Sequence, residues 1–493
     1  MPRWLHGYKA WGLTRPSRLE TRLFGSRHYT EFVRVPCASS GDITVSLHNV
    51  SHHHPTTPLV IFIPPFSQPG PEPAVPLPAC LLHHPTAIIN YRWRSHTEDE
   101  RPDVHLQWPT PLHDVLFGYS WLSSKLGLTD GTSPGPRSAY VYGSYLGASL
   151  AASLALTESH LPHPSRPMTV RGLIAHNGIY NWTMFLPDHP IHKLSRARRR
   201  KGLVFPLPVS NTLSEDEADD DDIFALLKRQ TTFLFSDPAQ LFDPFASPCL
   251  FFHSPNLHVP QDFTTPLTEN SSLLPPEWTQ AIDALSSSSS SFSISTEPSS
   301  PDSPSHSDPE SAAALLARAE HQAKQLRPPR KGYLVFPPRY STLRLPETLL
   351  LYNDDDDHVS GGSKTRISAS TSTRSGARNN APSAARRRQQ KSRNSFRVQA
   401  NELAGLMRRS LRLLEFRERT VGDDNDEDYE AVVDLEDART REAERRVQIR
   451  ELRRLQQAGV ETGAAVPGLD QDGEERVADW LRERIDEEGR LVS

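Results

Sequence analysis

Three hydroxyl-bearing side chains, Ser144, Tyr145 and Ser149, lie in and just after a Gly143-x-x-x-Gly147 pair in the segment Tyr140–Val–Tyr–Gly–Ser–Tyr–Leu–Gly–Ala–Ser–Leu–Ala151. Hydroxyls serve as nucleophiles in acyl transfer when a base takes the proton and donors hold the developing oxyanion. Two glycines at this spacing let a strand turn sharply into a helix, but any strand-to-helix turn can use them. The other chemistry-bearing residues are sparse. His52–His53–His54 sit in a polar loop, where three consecutive imidazoles cannot all face one ion, so no metal site is expected. His176 follows an apolar run and reads as a satisfied, semi-buried residue. Asp354–Asp357 read as a solvated, mutually repelling turn, and Arg196–Lys201 and Arg386–Arg388 as solvated charge runs. No histidine follows His358.

These residues need a scaffold, and the apolar pattern supplies one. Phe32–Val35 and Ile43–His48 flank the turn signal Ser39–Asp42, as an antiparallel strand pair would. Pro58–Ile63 is a continuous apolar run suited to a strand buried on both faces of a parallel sheet, and Ala87–Tyr91, Ala139–Tyr142 and Val170–Ala175 repeat the pattern. Between them Leu112, Val115, Leu116, Tyr119 and Leu122 recur at helical spacing, and Leu146–Leu156 is rich in alanine and leucine. The alternation predicts an α/β fold with a doubly wound, mostly parallel sheet flanked by helices. Tyr333–Phe336 and Thr348–Tyr352 are expected to resume the sheet, Glu402–Leu411 to form a helix, and Leu413–Val421 the last strand. Ala431–Gln457 then reads as a charged helix. Val477, Trp480, Leu481 and Ile485 form one stripe of a C-terminal amphipathic helix, better suited to docking on the domain than to a partner.

The chain has 493 residues, 44 of them proline, with 36% hydrophobic residues and a mean hydropathy of −0.55. That composition fits one core with disordered insertions. The expected organisation is an N-terminal arm over 1–30, a first core part over 31–182 and a cap-like, partly disordered insertion over 183–331. The core continues over 332–358, a disordered insertion takes 359–393, the core end and charged helix take 394–457, and an amphipathic segment takes 458–493. The serine-rich stretches 286–311 and 360–392 are the clearest disorder expectations.

A formal net charge of −5 gives no global reason to expect nucleic acid. Cys37, Cys80 and Cys249 are odd in number and lack metal spacing, which favours a reducing, intracellular and cytoplasmic setting. Arg3, Lys9, Arg15 and Arg18 precede any acidic residue, the composition of a mitochondrial transit peptide, which is the alternative. No transmembrane segment and no cofactor are expected.

The segment around Gly143 and Gly147 resembles the nucleophile elbow of the hormone-sensitive-lipase-like esterases, an α/β-hydrolase family in which a strand ends in G-D-S-A-G-G-N-L-A. Pro58–Phe62 resembles the strand before that family's H-G-G-G loop, Asn90–Tyr91–Arg92 its D-Y-R, and Trp108–Asp114 with Trp121–Leu122 its F-P-A-A-x-x-D and W-L. The resemblance implies an α/β-hydrolase fold over about residues 40–182 and 332–456, less the disordered segment. It also implies site positions, and there the sequence departs from the family. Tyr145 stands at the nucleophile position, a phenol whose ordinary pKa is about 10. Pro64, Pro65 and Phe66 stand in the oxyanion loop, where proline offers no N–H. Asp356 falls on the acid position, and the loop expected to carry the histidine, Gly422–Tyr429, has none. The resemblance therefore implies a degenerate member, a non-catalytic binding or scaffold protein. It would hold an apolar small-molecule ligand under the insertion, or a protein partner at the C-terminal helices. The alternative is a carboxylic-ester hydrolase using Ser144 or Ser149 with a displaced histidine such as His176 or His358.

Overall fold

The structure, a computed structural model, describes residues 30–38, 41–66, 76–93, 106–127, 136–192, 223–264, 330–353, 394–415, 429–452 and 468–492. The expected disordered stretches, residues 1–29 of the N-terminal arm, the charge runs Arg196–Lys201 and Arg386–Arg388, Asp354–Asp357, His358 and the loop before Tyr429 lie outside these residues.

Eight strands form one sheet: β1 (Thr30–Pro36), β2 (Asp42–His48), β3 (Leu59–Ile63), β4 (Thr86–Asn90), β5 (Arg137–Ser144), β6 (Met168–His176), β7 (Glu347–Asn353) and β8 (Val447–Leu452). Their order is β1-β2-β4-β3-β5-β6-β7-β8. β2 is antiparallel to both neighbours and every pairing from β4 through β8 is parallel. This is the α/β-hydrolase arrangement. The helices are α1 (Thr110–Leu126), α2 (Leu146–Glu158), α3 (Ile223–Leu234), α4 (Phe396–Ser410), α5 (Tyr429–Arg446) and α6 (Gln471–Val492).

β3 shows why the central strands are apolar throughout. Leu59, Ile61 and Ile63 join the core shared with α1, α2 and α4, whereas Val60 and Phe62 join the opposite core under α6. Both faces are covered, so alternation with polar residues would strand a polar group in each layer. On the α6 side Val477, Trp480 and Leu481 are buried, and Ile485 packs against them. The amphipathic stripe thus meets the sheet. Gly172 in β6 makes room for it, because a Cβ there would lie 2.8 Å from the Trp480 ring. Arg484 of α6, almost fully buried, pairs with Glu347 of β7 at 3.3 Å.

Two expected strands are corrected. Tyr333–Phe336 is not a strand of the sheet: Tyr333 makes one isolated antiparallel bridge to His253, and Tyr333, Leu334 and Val335 are about half exposed. Pro337 and Pro338 follow at once and remove the donors that a ladder needs. The last strand is Val447–Leu452, inside the segment read as charged helix, whereas Leu411–Glu415 continues α4 as a wider helical turn. β8 lies at the sheet edge, and its outward charged side chains mimic a helical charge pattern.

Candidate functional site at the carboxyl ends of the central strands

Tyr145 occupies the single residue between β5 and α2 with φ 50° and ψ −116°. A non-glycine residue at positive φ is sparsely populated and costs about 1–3 kcal/mol, so the surroundings must hold it there. They do so through the main chain. Tyr145 N–H donates to the His176 carbonyl at 2.9 Å and Leu146 N–H to the Pro65 carbonyl at 3.2 Å. Gly143 and Gly147 serve by close approach rather than by positive φ. A Cβ on Gly147 would lie 2.2 Å from the Pro64 oxygen, and one on Gly143 would lie 2.4 Å from the Gly147 oxygen. The unusual backbone angle belongs to the tyrosine between them.

The Tyr145 ring is buried. It stacks on Phe66 at 5.7 Å between ring centroids, and meets the His176 ring at 5.7 Å and Phe396 at 5.8 Å edge-on. From Phe396 an unbroken series of aromatic contacts runs through Phe224 of α3, Phe185, Trp182, Phe235 and Trp93 to Trp108. Phe224 and Phe235 come from the segment read as a cap-like insertion. Its described part therefore packs over this edge of the sheet.

The polar side of Tyr145 is an amide network. Asn177, also at positive φ, donates from Nδ2 to Tyr145 Oη at 3.3 Å and to Asn353 Oδ1 at 2.9 Å. Its Oδ1 accepts the main-chain N–H of Asn353 at 2.9 Å. His176 Nε2 lies 2.7 Å from the same Asn353 oxygen, so this nitrogen carries the proton. His176 Nδ1 is buried without a partner. The reading of His176 as satisfied and semi-buried is corrected: it is buried and half-satisfied. Burial pushes its pKa down to about 4, against the opposing pull of the Asn353 hydrogen bond and Asp470.

Ser144 ends β5 as the register partner of His176. Ser149 lies in α2 and gives its hydroxyl proton to the Ile179 carbonyl at 2.5 Å. Pro64 is tied down as well, its carbonyl accepting from Tyr91 Oη at 3.1 Å. The two segments likened to D-Y-R and F-P-A-A-x-x-D meet as an ion pair. Arg92 Nη2 lies 2.7 Å from Asp114 Oδ1, while Arg92 Nε and main-chain N–H both donate to Oδ2 at 2.9 Å. They brace the start of α1 against β4.

Asn177, Asn353 and Phe396 were not singled out from sequence. An Asn after a buried strand is a weak signal for a left-handed exit, and only that could have pointed to Asn177. Among the described residues no group of three or more His, Cys, Asp or Glu could hold a metal ion, and no helix is long and apolar enough to cross a membrane.

No family model matches the chain, and no curated protein matches it. Among solved structures it is similar to a hyperthermophilic esterase from the archaeon Pyrobaculum calidifontis, with 15% identity over 47% of this chain and 64% of that one, TM-score 0.27. It is also similar to carboxyl esterase 2 of the mycorrhizal fungus Tuber melanosporum, with 14% identity over 47% and 64% and TM-score 0.29. An arylesterase gives 14% identity over 45% and 60%, TM-score 0.27. The match thus spans less than two thirds of the length of these structures. The α/β-hydrolase fold of this chain rests on its own strand order and register.

Proposed function

We propose that this chain is a degenerate relative of the hormone-sensitive-lipase-like esterases that hydrolyses no ester and acts by binding or scaffolding. The observation that carries this reading is the Leu146 N–H, donated to the Pro65 carbonyl. In a hydrolase of this fold the N–H after the nucleophile helps to hold the oxyanion. Here it is spent within the chain, and the loop opposite offers proline. Tyr145, at the nucleophile position, fills the space for a substrate carbonyl with a ring held by Phe66 and Phe396. β8 ends at Leu452, and the sequence beyond it contains no histidine to act as the proton relay.

In this reading residues 183–331 are an insertion whose aromatic underside suits an apolar ligand. A protein partner would meet the charged outer face of α6, because its apolar stripe faces the sheet. The cysteine usage supports a reducing, cytoplasmic setting, with mitochondria as the alternative.

One observation favours a second reading, a carboxylic-ester hydrolase with a displaced site. Ser144 is beside His176, and Asn353 orients the His176 ring as the third member of a triad would. A serine-directed fluorophosphonate separates the two. No labelling of the full chain is expected, and labelling that disappears in Ser144→Ala or Ser149→Ala would establish the second reading.

A further inference from the structure

At the opposite edge of the sheet, where β3, β4 and β5 begin, basic side chains gather around a buried guanidinium without a counter-charge. Arg137 opens β5 and is 2% exposed. Its Nε donates to the Thr57 carbonyl at 2.9 Å and its Nη1 to the Leu126 carbonyl at 3.3 Å, while Nη2 is buried and meets no acceptor. Carbonyls direct the group but do not neutralise it. Among the described residues no carboxylate pairs with Arg137. A buried charge without a partner costs several kcal/mol, and burial pulls this guanidinium's pKa down to about 10.

The loop that supplies Thr57 also carries His52, His53 and His54. Asn49 Nδ2 ties that loop to the Leu82 carbonyl at 2.7 Å, and Val60 N–H reaches the Pro85 carbonyl at 2.9 Å, which brings His83 and His84 alongside. Burial and the nearby charges of His52 and Arg137 hold His53 below the ordinary imidazole range. Burial, His53, His83 and Arg482 do the same to His84. Arg482, the cation that α6 adds here, already has Asp479 at 2.8 Å.

We infer that this edge is a binding site for a small oxyanion of the phosphate class, seated between the His53 and His84 imidazoles within the field of Arg137. Such an anion supplies the missing counter-charge, and each imidazole donates a hydrogen bond to it once protonated. Binding then takes up protons, so affinity rises as pH falls through the histidine range. A divalent cation is disfavoured by the same guanidinium, and among the described residues no group of three ligands could hold one. The site is roughly 23 Å from Ser144 at the other end of β5, from the strand rise per residue, so it stands or falls independently of the proposal above.

The full chain is titrated with inorganic phosphate, followed by phosphorus NMR line width and by melting temperature against chloride of equal ionic strength. Phosphate is expected to bind at pH 6 and to weaken by about tenfold or more by pH 8. The double variant His53→Gln, His84→Gln should lose both responses while melting normally in chloride. Arg137→Met should also lose phosphate binding, and the histidine variant carries the test if that protein does not fold. Equal phosphate responses in wild type and the double variant would overturn the inference, as would tighter binding of zinc than of phosphate.

Discussion

The main-chain N–H of Leu146 points into the Pro65 carbonyl at 3.2 Å. It latches the loop after β3 onto the turn after β5, and the Tyr91 Oη bond to the Pro64 carbonyl ties the same loop to the end of β4. The same turn presents Tyr145 at positive φ, a conformation whose cost the latch helps to hold. The strained backbone is retained while its N–H is occupied.

Tyr145→Ser should therefore leave p-nitrophenyl acetate turnover at the level of the wild type. Loss of one oxyanion donor alone costs about 2.7–4 kcal/mol, or 10²–10³ in rate, and in our reading the proton relay is absent as well. Strong turnover in Tyr145→Ser would mean that a base, with His176 the imidazole in contact with this position, is competent.

Gly147→Val should lower stability by about 3 kcal/mol or more, since its Cβ would collide with two main-chain oxygens, those of Ile63 and Pro64. Gly143→Val should also destabilise, through Gly147 and Ala151. Urea midpoints measure both, and unchanged values would contradict the close approach of α2 to β3 and β5.

Much of the scaffold was legible because burial on two faces leaves a mark in sequence. Leu59–Ile63 and Leu349–Tyr352 are apolar without interruption since each side chain enters one core or the other. Val447–Leu452 was not legible: only its end residues, Val447 and Leu452, are buried, and Arg450 and Glu451 face outward at the edge. Tyr333–Phe336 misled for the converse reason, an apolar run whose first three residues are left at the surface while only Phe336 enters the core. The glycines marked the turn correctly in position, yet the positive φ went to Tyr145, which no propensity would suggest. The amide pair Asn177 and Asn353 lies far apart in sequence and joins only when β6 and β7 pair.

The Arg92–Asp114 pair offers a stability test away from the turn. Asp114 is fully buried and accepts three N–H groups from Arg92. Asp114→Leu alone should cost about 3–5 kcal/mol, because it leaves Arg92 without its counter-charge. Arg92→Met with Asp114→Leu should recover a large part of that loss. A double variant no more stable than the single one would show that the segments are held by something other than this pair.

Acid should expose the buried imidazole of His176. An ordinary histidine titrates near pH 6.5, at about the value it has in an unfolded chain. In the folded chain burial holds His176 to about 4. Between these values the unfolded chain binds a proton that the folded chain refuses. The stabilising contribution is thus complete above about pH 6.5 and declines as pH falls towards 4, by about 3 kcal/mol in all. His189 is likewise pushed down to about 4, chiefly by burial, so wild type should carry two such contributions in one window. His176→Gln keeps a donor for Asn353 and cannot titrate. Its unfolding free energy, measured in urea from pH 7 to pH 5, should fall less than that of the wild type by about 2 kcal/mol. Parallel curves for the two proteins would show that His176 is not held neutral by burial, and the half-satisfied ring between Tyr145 and Asn353 would need another description.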